Sequence, residues 1–303
     1  MTKAQEEITS KFYQDSYTRD LGIAAKAAQF HDLQFQGYLY PDVGTWLLCQ
    51  ALGGADTVSG GSDPWTHSFA VSDSGLPVLS FEHSQGGGVA GGVLVERVPD
   101  AILDTFALEA RAQELVTTDV ILKGRQGAVQ GAPATVSFEA DRPFSFVDGS
   151  SAFTGIDAVS TYVSNFKLSI KNNVDAFFGL GSFAPHLKES KREIDIEFDV
   201  AVDDATNKLY REVYFNSATG STATSSLPIY VSSLTLTFDL GGTPDHRIVI
   251  TMQNFAAMSS KPLYDVNARI FTQSVAAKGV RAGGSTLVAV SARTPDSSSY
   301  LAA

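Results

Sequence analysis

Arg192-Glu193-Ile194-Asp195-Ile196-Glu197-Phe198-Asp199-Val200-Ala201-Val202 is the stretch that decides the fold. Acidic and apolar residues alternate along it. Side chains on a β-strand point to opposite faces with a period of two. Ile194, Ile196, Phe198, Val200 and Val202 therefore share one face, and Glu193, Asp195, Glu197 and Asp199 share the other. The apolar set demands a core. The acidic set demands solvent, and four like charges in a row repel one another. Two readings of that row stand side by side: an ordinary solvated face, or a surface that keeps another polyanion from adhering.

The same rhythm recurs through the chain. Leu33 and Phe35 alternate with Asp32, Gln34 and Gln36, so 30–40 reads as a strand. Pro41-Asp42 opens a helix, Val43, Trp46, Leu47, Cys49 and Leu52 follow at helical spacing, and Gly53-Gly54 closes it. Short strands are expected at 68–71, 78–82, 106–110, 116–122 and 135–139, with a flexible stretch at 124–131. A second β series covers 166–171, 193–202, 209–215, 234–240 and 248–252, with turns at Asn172-Asn173 and Gly241-Gly242 and a Ser/Thr/Gly-rich loop at 216–226. Residues 1–27 read as a polar arm with weak helical content. Thr105-Phe106-Ala107-Leu108-Glu109 and Asn165-Phe166-Lys167-Leu168-Ser169 have the same shape, and each precedes a longer alternating strand. That echo predicts a mainly β chain with an internal duplication: a first domain over 28–148 and a second over 149–303, joined near Asp148-Gly149-Ser150-Ser151.

The 303 residues carry 22 basic and 33 acidic side chains, a net charge of -11. Phosphate binding rests on Lys and Arg, so this balance argues against a nucleic-acid-binding protein. Cys49 is the single cysteine, which excludes an intrachain disulfide, and its apolar neighbours place it in a core. The first twenty residues lack the apolar run of a signal peptide, and nowhere do about 18 apolar residues run together as a membrane span requires. A soluble, cytoplasmically made protein is expected. His31, His67, His83, His186 and His246 show no metal-ligand spacing. Gly86 to Gly92 is glycine-rich, yet no Gly-Lys-Ser/Thr follows it, and it reads as a loop. No catalytic, cofactor-binding or metal-binding residues are assigned. Plentiful carboxylates leave a carbohydrate-active or carbohydrate-binding β-sandwich as the alternative, although only Trp46 and Trp65 could serve as tryptophan platforms.

Asp63-Pro64-Trp65-Thr66-His67-Ser68-Phe69, followed by Leu76-Pro77-Val78-Leu79-Ser80-Phe81-Glu82, resembles the tail tube (major tail) proteins of long-tailed phages. Val163 to Asn173, Phe183-Ala184-Pro185 and Lys191-Arg192-Glu193-Ile194 are similar in the same order. The resemblance spans roughly 30–255. It implies a β-sandwich or half-barrel with a flanking helix and no enzymatic activity. It implies copies that join sheets into a ring, and rings that stack into a hollow tube conducting DNA without binding it specifically. Three chains of two domains are favoured over six chains per ring. The other partners implied are the tape measure and tail terminator proteins, in a virion assembled in host cytoplasm. Glu193, Asp195, Glu197 and Asp199 are then candidates for the lumen wall, and loops 84–98, 183–192 and 216–228 for ring-to-ring contacts.

Overall fold

The computed structural model describes residues 2–9, 24–86, 93–125, 127–130, 132–135, 138–154, 163–180, 185–202, 211, 213–215, 230–263, 271–281 and 286–301. The described strands are β1 (Thr2–Thr9), β2 (Ala24–Tyr38), β3 (Thr57–Ser59), β4 (Trp65–Ala70), β5 (Leu79–Gly86), β6 (Val93–Arg111), β7 (Thr117–Gly124), β8 (Ala128–Gln130), β9 (Gly149–Thr154), β10 (Val163–Lys171), β11 (Val174–Phe177), β12 (His186–Glu189), β13 (Glu193–Val202), β14 (Tyr230–Asp239), β15 (Arg247–Leu263), β16 (Phe271–Gly279) and β17 (Val288–Thr294). Helix α1 (Pro41–Leu52) lies between β2 and β3. The chain is mainly β with a flanking helix.

The opening stretch forms β13 over the expected residues, and Ile196, Phe198 and Val200 are fully buried. Its neighbours supply matching rows: Phe166, Leu168 and Ile170 from β10 on one side, Val275 and Ala277 from β16 on the other. Each such side chain contributes about 1.5–3 kcal/mol by leaving water. The main path through the sheet is β1-β2-β7-β6-β10-β13-β16-β15-β17-β4-β3. β14 adds to β15, and β9 adds to β14. Strands from both halves of the path share one core. Phe153 of β9 packs on Phe198 of β13 with ring centroids 5.0 Å apart, and α1 packs against β4, β6, β15 and β17.

A topological repeat runs through the path. β1 and β2 form a hairpin, β5 and β6 a second, and β7 returns beside β2, giving the spatial order β1-β2-β7-β6. β10, β13, β14, β15 and β16 follow the same rule, giving β10-β13-β16-β15 with β14 on the first half of β15. Both long strands, β6 and β15, bend at a left-handed non-glycine residue, Asp100 (φ 52) and Asn254 (φ 58). Both then carry a register shift three to five residues later, at Leu103/Thr105 and at Ala257/Ser259. Asp32-Leu33-Gln34-Phe35 in β2 holds the place of Asp195-Ile196-Glu197-Phe198 in β13, with Asp32 opposite Lys123 and Asp195 opposite Lys278. The echo seen in sequence between 105–109 and 165–169 is different. Those segments lie in β6 and β10, which pair side by side with Leu108 opposite Leu168, and they are neighbours, not counterparts.

Several expectations change. Thr2–Thr9 is a strand paired with β2, where weak helix was expected: its partner lies beyond the local window that propensity reads. The stretch 124–131 carries β8, held by pairing with β6. Residues 135, 138 and 139 are not in a strand, because Glu139 turns its carboxylate onto the start of α1, taking the Asp42 and Val43 N–H groups at 2.7 and 3.1 Å. Tyr40 offers that helix no side-chain cap, and Glu139 supplies it from afar, where negative charge also suits the helix dipole. Arg211 and Val213–Phe215 are helical, where a strand was expected; a short apolar run fits both periods. Gly53 ends α1 in the left-handed conformation (φ 72), as its position in the sequence suggested. Cys49 is fully buried. Of the loops singled out, 84–86 and 93–98 belong to the β5–β6 ladder and 186–189 is β12, while 87–92 and 216–228 lie outside the described residues.

One buried polar junction ties the helix to both halves of the sheet. Asn172 donates to the carbonyls of Ala51 (3.1 Å) and Leu103 (2.9 Å) and accepts from Arg192 Nε at 2.8 Å. Arg192 Nη1 also reaches Ser72 O at 2.9 Å. Asn172→Ala leaves a largely buried guanidinium short of a partner and should cost about 2–4 kcal/mol. Chemical denaturation of the unassembled protein checks this, and a loss under about 0.5 kcal/mol contradicts the junction's importance.

Candidate functional site: a charged face on the sheet

The candidate residues lie on the solvent side of β13, opposite the core row. Glu193, Asp195 and Asp199 are half-buried and Glu197 is exposed. In an antiparallel sheet, directly paired residues project from the same side. The register therefore fixes their company. Lys171 stands opposite Glu193 and Lys167 opposite Glu197 across the β10 ladder, while Lys278 stands opposite Asp195 across the β16 ladder. Lys278 Nζ reaches Glu193 at 3.3 Å, and Asn165 Nδ2 donates to Asp199 at 3.1 Å. Lys167 also faces Glu109 of β6, which Arg111 engages at 2.8 Å.

The four carboxylates thus stand between two lysines of β10 and one of β16. Their mutual repulsion is offset by cross-strand pairs worth about 0.2–1 kcal/mol each. The face continues across β6, β7 and β2, where Asp119 receives Gln34 Nε2 at 3.1 Å and Lys123 lies opposite Asp32. Burial raises the Asp32 carboxyl above the ordinary aspartate range, and nearby Lys123 pulls it back in part. The face is dished where Gly37 and Ala107 carry little side chain, leaving a hollow of about 550 Å³ rimmed by Tyr38, Glu109, Arg111 and Lys167.

This arrangement offers a broad, wet, nearly balanced mosaic of charge. A phosphate approaching it meets lysines that already face carboxylates. No pair of carboxylates in it is enclosed in the apolar pocket that raises a general acid's pKa. Among the described residues, no group of three His, Cys, Asp or Glu side chains is placed to hold a metal ion. No helix among them is long and apolar enough to cross a membrane. Sequence reading placed the acidic row correctly on one side of β13 and missed the lysines, because a strand's alternation says nothing about which strands will flank it.

A search of curated proteins returns no match. The profile of one family does match, described as phage tail tube protein, and it covers residues 31–292. The match takes in α1, the strands of both units from His31 of β2 onward, and the charged face. The chain belongs to the phage tail tube protein family.

Proposed function

We propose that this chain is the wall subunit of a phage tail. Copies close through their sheet edges into a ring, rings stack into a hollow tube, and genome DNA passes through without specific binding. The role is structural and not enzymatic. Assembly proceeds in the host cytoplasm alongside the tape measure and tail terminator proteins.

The observation that carries this reading is the repeat. The chain contains two units of one topology joined through the β6–β10 ladder. The second half of β15 holds the place of β6, yet from Ser259 to Leu263 it has only β16 beside it among the described residues. β1 holds the place of β10 and, among the described residues, has only β2 beside it. An unpaired strand edge is a template for another chain. The path from β1 to β15 has eight strands, an even number, so a copy related by rotation would bring its β1 antiparallel to β15. Such a contact is heterologous, and a heterologous contact closes into a ring when the rotation allows it. Two units per chain favour three chains around the axis. The domain division read from sequence, 28–148 and 149–303, is carried forward in altered form: the first unit takes in β1, and the second begins at β10.

The acidic row on β13 is proposed to face the lumen together with Lys167, Lys171 and Lys278. The positions corresponding to Asp195, Glu197 and Asp199 in the first unit are Asp32, Gln34 and Gln36, so a ring would alternate strongly and weakly acidic sectors. DNA slides where no lysine is left to neutralise a phosphate, since phosphate affinity follows the number of such contacts.

Two outcomes are expected. Purified protein should sediment as a growing series of assemblies with concentration and show tubes in negative stain. A strict monomer after long incubation at high concentration would contradict the proposal. Glu197→Lys with Glu193→Lys should cost folding about 1–2 kcal/mol, since each exchange replaces a cross-strand acid–lysine pair with facing lysines, and should leave the fold intact. It should make tubes retain short duplex DNA at low salt and release it as salt rises. Variant tubes that hold no more DNA than the parent would refute the lumen assignment.

A further inference from the structure

His246 sits in a setting the tube wall does not explain. It is 5 % exposed and lies just before β15. Nδ1 is 2.6 Å from Asp141 Oδ2, and Nε2 is 2.8 Å from Asp63 Oδ1. Both ring nitrogens therefore face carboxylate oxygens, which only accept. A neutral imidazole has one N–H and would leave one carboxylate against a lone pair. The cation satisfies both.

The two carboxylates come from separate parts of the chain. Asp63 lies in the turn between β3 and β4. Asp141 lies two residues past Glu139, whose carboxylate caps α1. The same segment displays Phe138, 88 % exposed, next in sequence to the Glu139 whose carboxylate holds the N–H of the exposed Val43. The other charges near the ring are engaged elsewhere. Asp245 holds Arg293 of β17 at 2.7 Å and stands 3.8 Å from Arg247, and Arg142 is forked onto Asp148.

We propose that His246 is a proton-operated clasp. As an imidazolium it fastens the β3–β4 turn and the Glu139–Asp141 segment to the start of β15; as a neutral ring it lets them go. The clasp thereby sets whether this end of the subunit presents Phe138 and Val43 in a fixed arrangement. In the tube reading above, on which this last consequence alone rests, the end is primed for assembly at neutral and mildly acid pH and loosened in alkali.

The direction follows from proton linkage. Burial opposes the charge, but the Asp63 and Asp141 contacts outweigh it and raise the His246 pKa above the ordinary histidine value. A group raised in the folded state contributes its full stabilisation below its unfolded value, and loses it as pH climbs through the raised one.

The test uses unassembled full-length protein, so it stands or falls apart from tube formation. Amide exchange, corrected for the intrinsic rate, is followed by mass spectrometry at about pH 6 and about pH 9, either side of histidine titration. Residues 60–65 and 138–142 should lose protection between them, since the raised histidine gives up its proton over this range. His246→Gln should be open at both values and nearly flat. Nitrogen-detected imidazole spectra should show both ring nitrogens protonated at neutral pH. If His246→Gln does not fold, Asp63→Asn serves, because that carboxylate is half exposed; it should shift the loss of protection to lower pH. Protection independent of pH in the parent, a variant as protected as the parent, or a neutral ring at neutral pH would each overturn the clasp.

Discussion

The antiparallel ladders on the two flanks of β13 are the interaction on which the rest of this structure depends. They bury Ile196, Phe198 and Val200 between the apolar rows of β10 and β16. The same register, by the period of two, puts Lys171, Lys167 and Lys278 opposite acids on the other side. A slip of one residue would turn the carboxylates into the core and the apolar row into water. Core and charged face are therefore one constraint seen from two sides.

The second constraint is the bend in the long strands. β6 pairs with β5 and β8 on one side of Asp100 and with β7 and β10 on the other, and β15 exchanges β14 and β17 for β16 near Asn254; both residues are left-handed. Asp and Asn tolerate that conformation better than other residues with a Cβ. The first half of each strand keeps its hairpin partner, β5 or β14, and the second half pairs with β7 or β16; the first half of β15 also carries β17. Because both units use the same device, the second unit ends with an edge in the position that the first unit fills internally with β10.

Much of this was legible in the sequence. β13, β10 and α1 announce themselves through local alternation, Pro41 and Gly53. The opposite holds wherever structure rests on distant partners. β1 has weak local signals and gains its form from β2. Glu139 looked like strand and is a helix cap for residues nearly a hundred positions earlier. The counterpart of Asp195-Ile196-Glu197-Phe198 was overlooked at Asp32-Leu33-Gln34-Phe35, because half-buried strands alternate everywhere and only register tells counterpart from neighbour. The charged face was read as purely acidic for the same reason, since Lys278 is assigned to Asp195 by pairing and not by proximity in the chain.

The central claim is that each chain supplies two equivalent wall units with the charged face turned inward. A cryo-electron microscopy reconstruction of assembled tubes tests it most directly. The account predicts three chains per ring, six strand units related by near-sixfold symmetry, and Glu193, Asp195, Glu197 and Asp199 lining the lumen. Six identical chains per ring, or these carboxylates on the outer wall, would contradict it.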